Sequence, residues 1–118
     1  MRVYEEIKPT VVIYCEDENA GNACLNRICE GLEEEGVPFE VTIATGDEPE
    51  FMAQKASRES RIGIGIFLGK DGTCLLQHTK MPYNMPIMKI HGKLAEADDY
   101  RRLGANAARL AKNIPLSF

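Results

Sequence analysis

"TVVIYC", residues 10–15, is an unbroken run of apolar, mostly β-branched residues. A strand with one wet face would alternate apolar with polar, so this run suits a strand covered on both sides. A second such run, "RIGIGIFLG", follows at 61–69. Strands buried on both faces need a layer above and a layer below, which restricts the chain to helices packed on either side of a sheet.

The intervening segments supply those helices. After Asn19-Ala20-Gly21, Leu25, Ile28 and Leu32 recur at three- and four-residue spacing, and Gly36 is placed to close a helix at C′. "VPFEVTIA" (37–44) reads as a second strand. "GDEPE" (46–50) joins an acidic cap, a first-turn proline and early acidic residues, the signals of a helix start, and that helix runs to about 57–60. Lys70-Asp71-Gly72 is a hairpin signal, so "TCLLQH" (73–78) returns antiparallel to the strand before it. "MPIMKI" (85–90) is a fifth strand, and a last helix runs from near Ala95 to about Asn113. Right-handed crossovers make the first three strands parallel. The predicted fold is an α/β protein, a three-layer α/β/α sandwich in one domain over residues 1–118, whose five-stranded mixed sheet has strand 4 antiparallel.

A chain of 118 residues buries about two-thirds of its unfolded surface, enough for a core without disulfide or metal staples. Its 14 basic and 18 acidic residues leave a net charge of −4, which disfavours nucleic acid and anionic membranes as partners. No export pattern opens the chain, and no apolar run approaches the ~18–20 residues that span a bilayer. A cytoplasmic protein is expected, with Cys15, Cys24, Cys29 and Cys74 as reduced thiols.

Motifs for turnover are lacking. Gly63, Gly65 and Gly69 fall within and at the end of a predicted strand that leads into a hairpin, whereas a dinucleotide fingerprint needs its glycines between strand and helix. They read instead as places where a helix approaches the sheet closely. There is no Walker-type GK[ST] and no C-x-x-C. Nothing pairs His78 or His91 with a nucleophile. No catalytic residue and no tightly bound cofactor are expected.

Three surfaces stand out. Glu30, Glu33, Glu34 and Glu35 crowd the end of the first helix, where the macrodipole is already negative and each carboxylate costs a few tenths to ~1 kcal/mol. They read either as a solvated acidic face or as oxygen ligands awaiting a partner's basic group or a Mg²⁺ or Ca²⁺ ion. In the final helix Tyr100, Leu103, Ala107, Leu110 and Ile114 form an apolar stripe facing the sheet, with Gly104 and Ala108 allowing close backbone approach, and Ile114-Pro115-Leu116 is expected to continue the contact. Opposite that stripe Arg102, Asn106, Arg109 and Asn113 are expected to form a polar surface for a partner. Finally, "HTKMPYNMPIMK" (78–89) sets Met81, Tyr83, Met85 and Met88 around two prolines, which suits an adaptable contact surface, with core filling by Met85 or Met88 as the other reading.

"EEEGVPF" (33–39), "RIGIGI" (61–66), the H-x-K-x-P…P-I segment (78–87) and "GANAARLAKNIP" (104–115) together resemble the small subunit of the diol/glycerol dehydratase-reactivating factor. The resemblance extends from the first strand to Pro115. It implies an anticodon-binding-domain-like fold and a larger ATPase subunit as partner, of chaperone-like, actin/Hsp70-type fold. The pair would restore coenzyme-B12-dependent dehydratases whose cobalamin is damaged. The small subunit would leave the large one when the dehydratase docks, a swap of subunits that releases the damaged cobalamin. The resemblance further implies that Glu34, with Glu33 as the neighbouring position, ligates a divalent ion shared with the large subunit, and that the protein can be associated with a bacterial microcompartment. Alternatives are a medium-subunit-like component of the dehydratase itself, which would usually carry more N-terminal sequence, and a stand-alone flavodoxin-like ligand-binding domain.

Overall fold

The computed structural model describes residues 10–16 and 22–113. In chain order it contains β1 (Val11–Cys15), α1 (Asn22–Glu34), β2 (Phe39–Ile43), α2 (Pro49–Glu59), β3 (Ile64–Leu68), β4 (Cys74–His78), β5 (Met88–Ile90) and α3 (Ala97–Ala111), with a 3₁₀ turn at Gly92–Leu94. The sheet order is β2-β1-β3-β4-β5. β1 pairs in parallel with β2 and β3, whereas β4 is antiparallel to both β3 and β5, as the sequence predicts for the fourth strand.

β1 shows why its sequence does not alternate. Val11, Ile13 and Cys15 enter the core shared with Ile28 and Leu32 of α1 and Leu103 and Ala107 of α3. Val12 and Tyr14 point the other way, into a smaller core with Met52, Ala53 and Ala56 of α2. Gly65 is explained by the same layering: a Cβ there would overlap the backbone of Ala56 and Ser57. It marks the close approach of α2 to β3, not a phosphate loop.

α1 ends as its Gly36 predicts. Gly36 adopts φ 73°, its N–H donates to Glu33 O (3.0 Å), and Val37 N–H donates to Leu32 O (3.2 Å), the paired bonds of a Schellman motif. The fifth strand is shorter than its run of apolar residues, because Pro86 has no N–H and Met85 N–H turns back to Pro82 O (3.0 Å). The last helix begins two residues late, behind the 3₁₀ turn, with a reciprocal Glu96–Asp99 capping box. It closes at Lys112, and Asn113 takes the left-handed conformation, φ 57°. The expected contact of Ile114-Pro115-Leu116 lies outside the described residues, as does the Asn19-Ala20-Gly21 lead-in.

Candidate functional site

The acidic end of α1 lies beside α3, and the two helices meet backbone to backbone. A Cβ on Gly31 would overlap Arg101 O, and one on Gly104 would overlap Ile28 O. Because the helices are this close, cations of α3 reach the α1 carboxylates. Arg101 donates to Glu34 Oε1 at 3.1 Å and, through its other nitrogens, to Asp98 Oδ1 at 2.7 and 2.9 Å. Lys112 Nζ donates both to the Glu35 carbonyl (2.8 Å) and to Glu35 Oε1 (3.0 Å). Arg109 lies 3.6 Å from the other Glu35 oxygen, and Glu30 pairs with Arg27 at 2.8 Å. The Lys112 hydrogen bond, followed by the charges of Lys112 and Arg109, holds the Glu35 carboxyl below its usual pKa. The chain therefore supplies its own counter-charges to the negative helix end.

Glu33 is exposed and stands beside Cys29, whose thiol is pushed up to about 11, mainly by burial and then by that carboxylate. Burial also raises the Cys74 thiol, with Cys15 buried alongside. Neither Cys29 nor Cys74 is an activated nucleophile. His78 Nδ1 accepts from Lys80 N–H (3.0 Å), a turn-holding role. Among the described residues, no three His, Cys, Asp or Glu side chains form a metal-binding group.

The polar stripe expected on α3 is split. Arg102 is half-exposed and bound to Asp98 (3.0 Å), and Arg109 is turned toward Glu35. Asn106 is not on an open surface: it is 0% exposed, with Nδ2 3.5 Å from the Met88 sulfur. It lies one turn from Leu103, and α3 covers the sheet as far as β5, so the buried arc is wider than the apolar stripe. Contrary to the expectation for it, Asn106 is closed off from a partner by its burial.

Tyr83 is half-exposed and stacks on Phe51 of α2, with ring centroids 4.5 Å apart and planes 9° from parallel. Met85 beside it is exposed, while Met88 packs against the core. The loop is held from below by Gln77, fully buried in β4. Its Nε2 donates to Pro82 O (3.0 Å) and its Oε1 accepts from His78 N–H (2.9 Å). Sequence reasoning missed both Phe51 and Gln77. The available signal for Phe51 was an aromatic next to, and outside, the buried face Met52-Ala53-Ala56 of its helix.

A cleft of about 470 Å³ opens near the carboxyl ends of β1 and β3, lined by Cys24, Arg27, Lys70, Asp71, Gly72 and Tyr100 among others. That is where doubly wound sheets hold ligands. Several of its polar groups are already engaged in holding the fold. Tyr100 donates to Gly72 O (2.6 Å), Asp71 accepts from Thr73 N–H (3.0 Å), and Arg27 is paired with Glu30. The arrangement presents charged and aromatic surfaces. No helix among the described residues is long and apolar enough to cross a membrane.

The profile of the family described as "Dehydratase medium subunit" matches residues 8–117. The "Probable glycerol dehydratase-reactivating factor small subunit" of Citrobacter freundii is 30% identical over 92% of this chain and 93% of its own length. The "Diol dehydratase-reactivating factor small subunit" of Klebsiella michiganensis is 37% identical over 72% of this chain and 66% of its own. A solved chain of "Glycerol dehydratase reactivase" superposes with a TM-score of 0.86 at 32% identity, covering 93% of this chain and 97% of that one.

Proposed function

The chain belongs to the dehydratase medium-subunit family and, within it, to the small subunits of dehydratase-reactivating factors, and on that premise we propose that it acts as the non-catalytic small subunit of a chaperone-like reactivase. Its large partner is an ATPase, and its client is a coenzyme-B12-dependent diol or glycerol dehydratase. The small subunit leaves the large one as the dehydratase docks, which opens the dehydratase for loss of damaged cobalamin. The observation that carries this reading is the overlap with a reactivase chain along nearly the whole length, at TM-score 0.86.

A subunit that must let go is served by a contact that is polar and moderate in area. The α1–α3 end has that character: its ion pairs are exposed, and such pairs are individually weak and exchangeable. Glu34 is our candidate ligand for a Mg²⁺ or Ca²⁺ ion shared with the large subunit. One of its oxygens meets Arg101, the side chain is half-exposed, and Arg101 retains Asp98 if Glu34 turns away. These residues fit a shared site and not a private one, since such ions take six or more oxygens and Glu34 brings one carboxylate. A bound ion would supply bridging positive charge between the two chains.

The test is co-elution of the chain with its large subunit, with and without chelator, followed by recovery of an inactivated dehydratase with ATP and fresh cobalamin. Binding and recovery are expected with the wild-type chain, and Glu34→Ala is expected to lose the chelator-sensitive part of the binding. Failure to associate under either condition overturns the subunit role. Association indifferent to both chelator and Glu34→Ala overturns the metal role alone.

A further inference from the structure

We propose that the outer edge of β2, unpaired among the described residues, is a self-association surface, occupied by β2 of a second copy of this chain in antiparallel register about Val41. The backbone shows which groups face that edge. Val11 N–H donates to Pro38 O and Ala44 N–H to Cys15 O, both at 3.0 Å, with Val11 opposite Phe39 and Cys15 opposite Ile43. In a parallel ladder the inward bonds then come from alternate residues 38, 40, 42 and 44. The N–H and C=O groups of Phe39, Val41 and Ile43 point away from the sheet.

The two edges of the sheet differ in how they are guarded. β5 is three residues long, follows Pro86, and carries Lys89 ion-paired to Glu50 at 3.2 Å. These are devices that blunt an edge. β2 has five residues, "FEVTI", with no lysine, proline or glycine among them. It also keeps Val41 and Ile43 at 41% and 51% exposure.

Its sequence is complementary to itself. Antiparallel pairing with Val41 on the two-fold axis puts Phe39 opposite Ile43 and Glu40 opposite Thr42, so no like charges stand directly opposite. All the outward-pointing backbone groups then meet their counterparts. Val41 and Ile43 share a sheet face with Val11, Ile13 and Cys15, which is the α1 side. A dyad perpendicular to the sheet keeps that face common to both copies, so the four exposed side chains cluster between the two α1 helices. Two short strands bury less than the ~1,200 Å² of a stable interface, so the dimer is weak and concentration-dependent. This rests on the edge alone and holds whether or not the chain serves a dehydratase.

Sedimentation equilibrium over about 1 µM to about 1 mM, the Kd span of weak complexes, tests it. The wild-type mass is expected to climb from 13.1 kDa toward twice that value. Val41→Lys, which sets two ammonium groups on the dyad, is expected to hold the monomer mass. Should that variant misfold, mixing Glu40→Cys with Thr42→Cys chains under a mild oxidant still reads the register. The mixture is expected to form a disulfide-linked pair that neither variant forms alone above wild-type background. A wild-type chain that stays at 13.1 kDa throughout overturns the proposal. So does a folded Val41→Lys that associates like wild type, or a mixed cross-link no stronger than the single-variant controls; pairing with some other chain would then be what the edge serves.

Discussion

Gly104 of α3 lies directly against the carbonyl oxygen of Ile28 of α1, with no space for a Cβ between them. Gly31 makes the reciprocal approach to Arg101 and Ala105, so the two helices are notched into each other. The obstacle at each glycine is backbone, which no rotamer change can move aside. Gly104→Ala and Gly31→Ala are each expected to lower unfolding free energy by about 3 kcal/mol, at the upper end of overpacking costs. Gly36→Ala meets nothing in space and suffers only its positive φ, a loss of about 1 kcal/mol. Urea denaturation of the three variants checks that ranking, and equal losses would contradict it.

Acid sensitivity has a defined sign. The carboxyls of Glu35, Glu50, Asp71 and Asp98 are all held below their ordinary values, Glu35 and Asp98 chiefly by side-chain hydrogen bonds to Lys112 and Arg101. A pKa lower in the folded state means the stabilisation is present above the unfolded value and is lost as pH falls through the folded one. The urea midpoint is therefore expected to drop below about pH 4, where free carboxylates begin to protonate. Lys112→Ala should make that drop shallower, and an unchanged acid limb would remove Glu35 from the account.

The loop at 79–87 is expected to depend on Gln77. Gln77→Leu fills the same buried space but leaves Pro82 O and His78 N–H without their partner, a cost of about 1–3 kcal/mol. The sharper readout is local. Amide hydrogen exchange through residues 79–85 should accelerate in the variant while β1 and β3 keep their order of protection.

Phe51 and Tyr83 form a stacked pair offered to solvent, and aromatic anchors are where interface energy concentrates. Phe51→Ala and Tyr83→Ala are each expected to weaken binding to the large subunit at least about tenfold, or about 1.4 kcal/mol. Circular dichroism should be unchanged in both. Titration calorimetry with the purified partner checks this, and undiminished affinity would leave the contact to the α1–α3 end alone.

Most of the architecture was legible because it depends on local chemistry. β-branched runs cannot sit with one wet face, Gly36 tolerates a left-handed helix end, and Lys70-Asp71-Gly72 forces a tight reversal. The side-chain pairs were not legible, since they are set by how two helices cross. Arg101 meets Glu34 across 67 positions of sequence, and Lys112 meets Glu35 across 77. The crowding of glutamates was visible, yet its relief by α3 was not. Asn106 was misplaced for a related reason: residue type says polar, but the breadth of sheet beneath α3 decides burial. Phe51 was passed over because a lone aromatic on a helix gives no sign of the loop tyrosine that meets it.

Strand order also bears on how the chain assembles itself. β3 and β4 are joined by a five-residue connection, while β1 must find β3 from about fifty positions away, with Ser60 Oγ fastened to Thr10 O across that same distance. Closing the short loop loses little entropy and closing the long one loses more. The β3–β4 ribbon should therefore be native-like in the folding transition state and β1 should arrive afterwards, so that Leu76→Ala slows refolding while Val12→Ala chiefly speeds unfolding. During synthesis, β1, second in the sheet, emerges ahead of both its neighbours and must wait for β3.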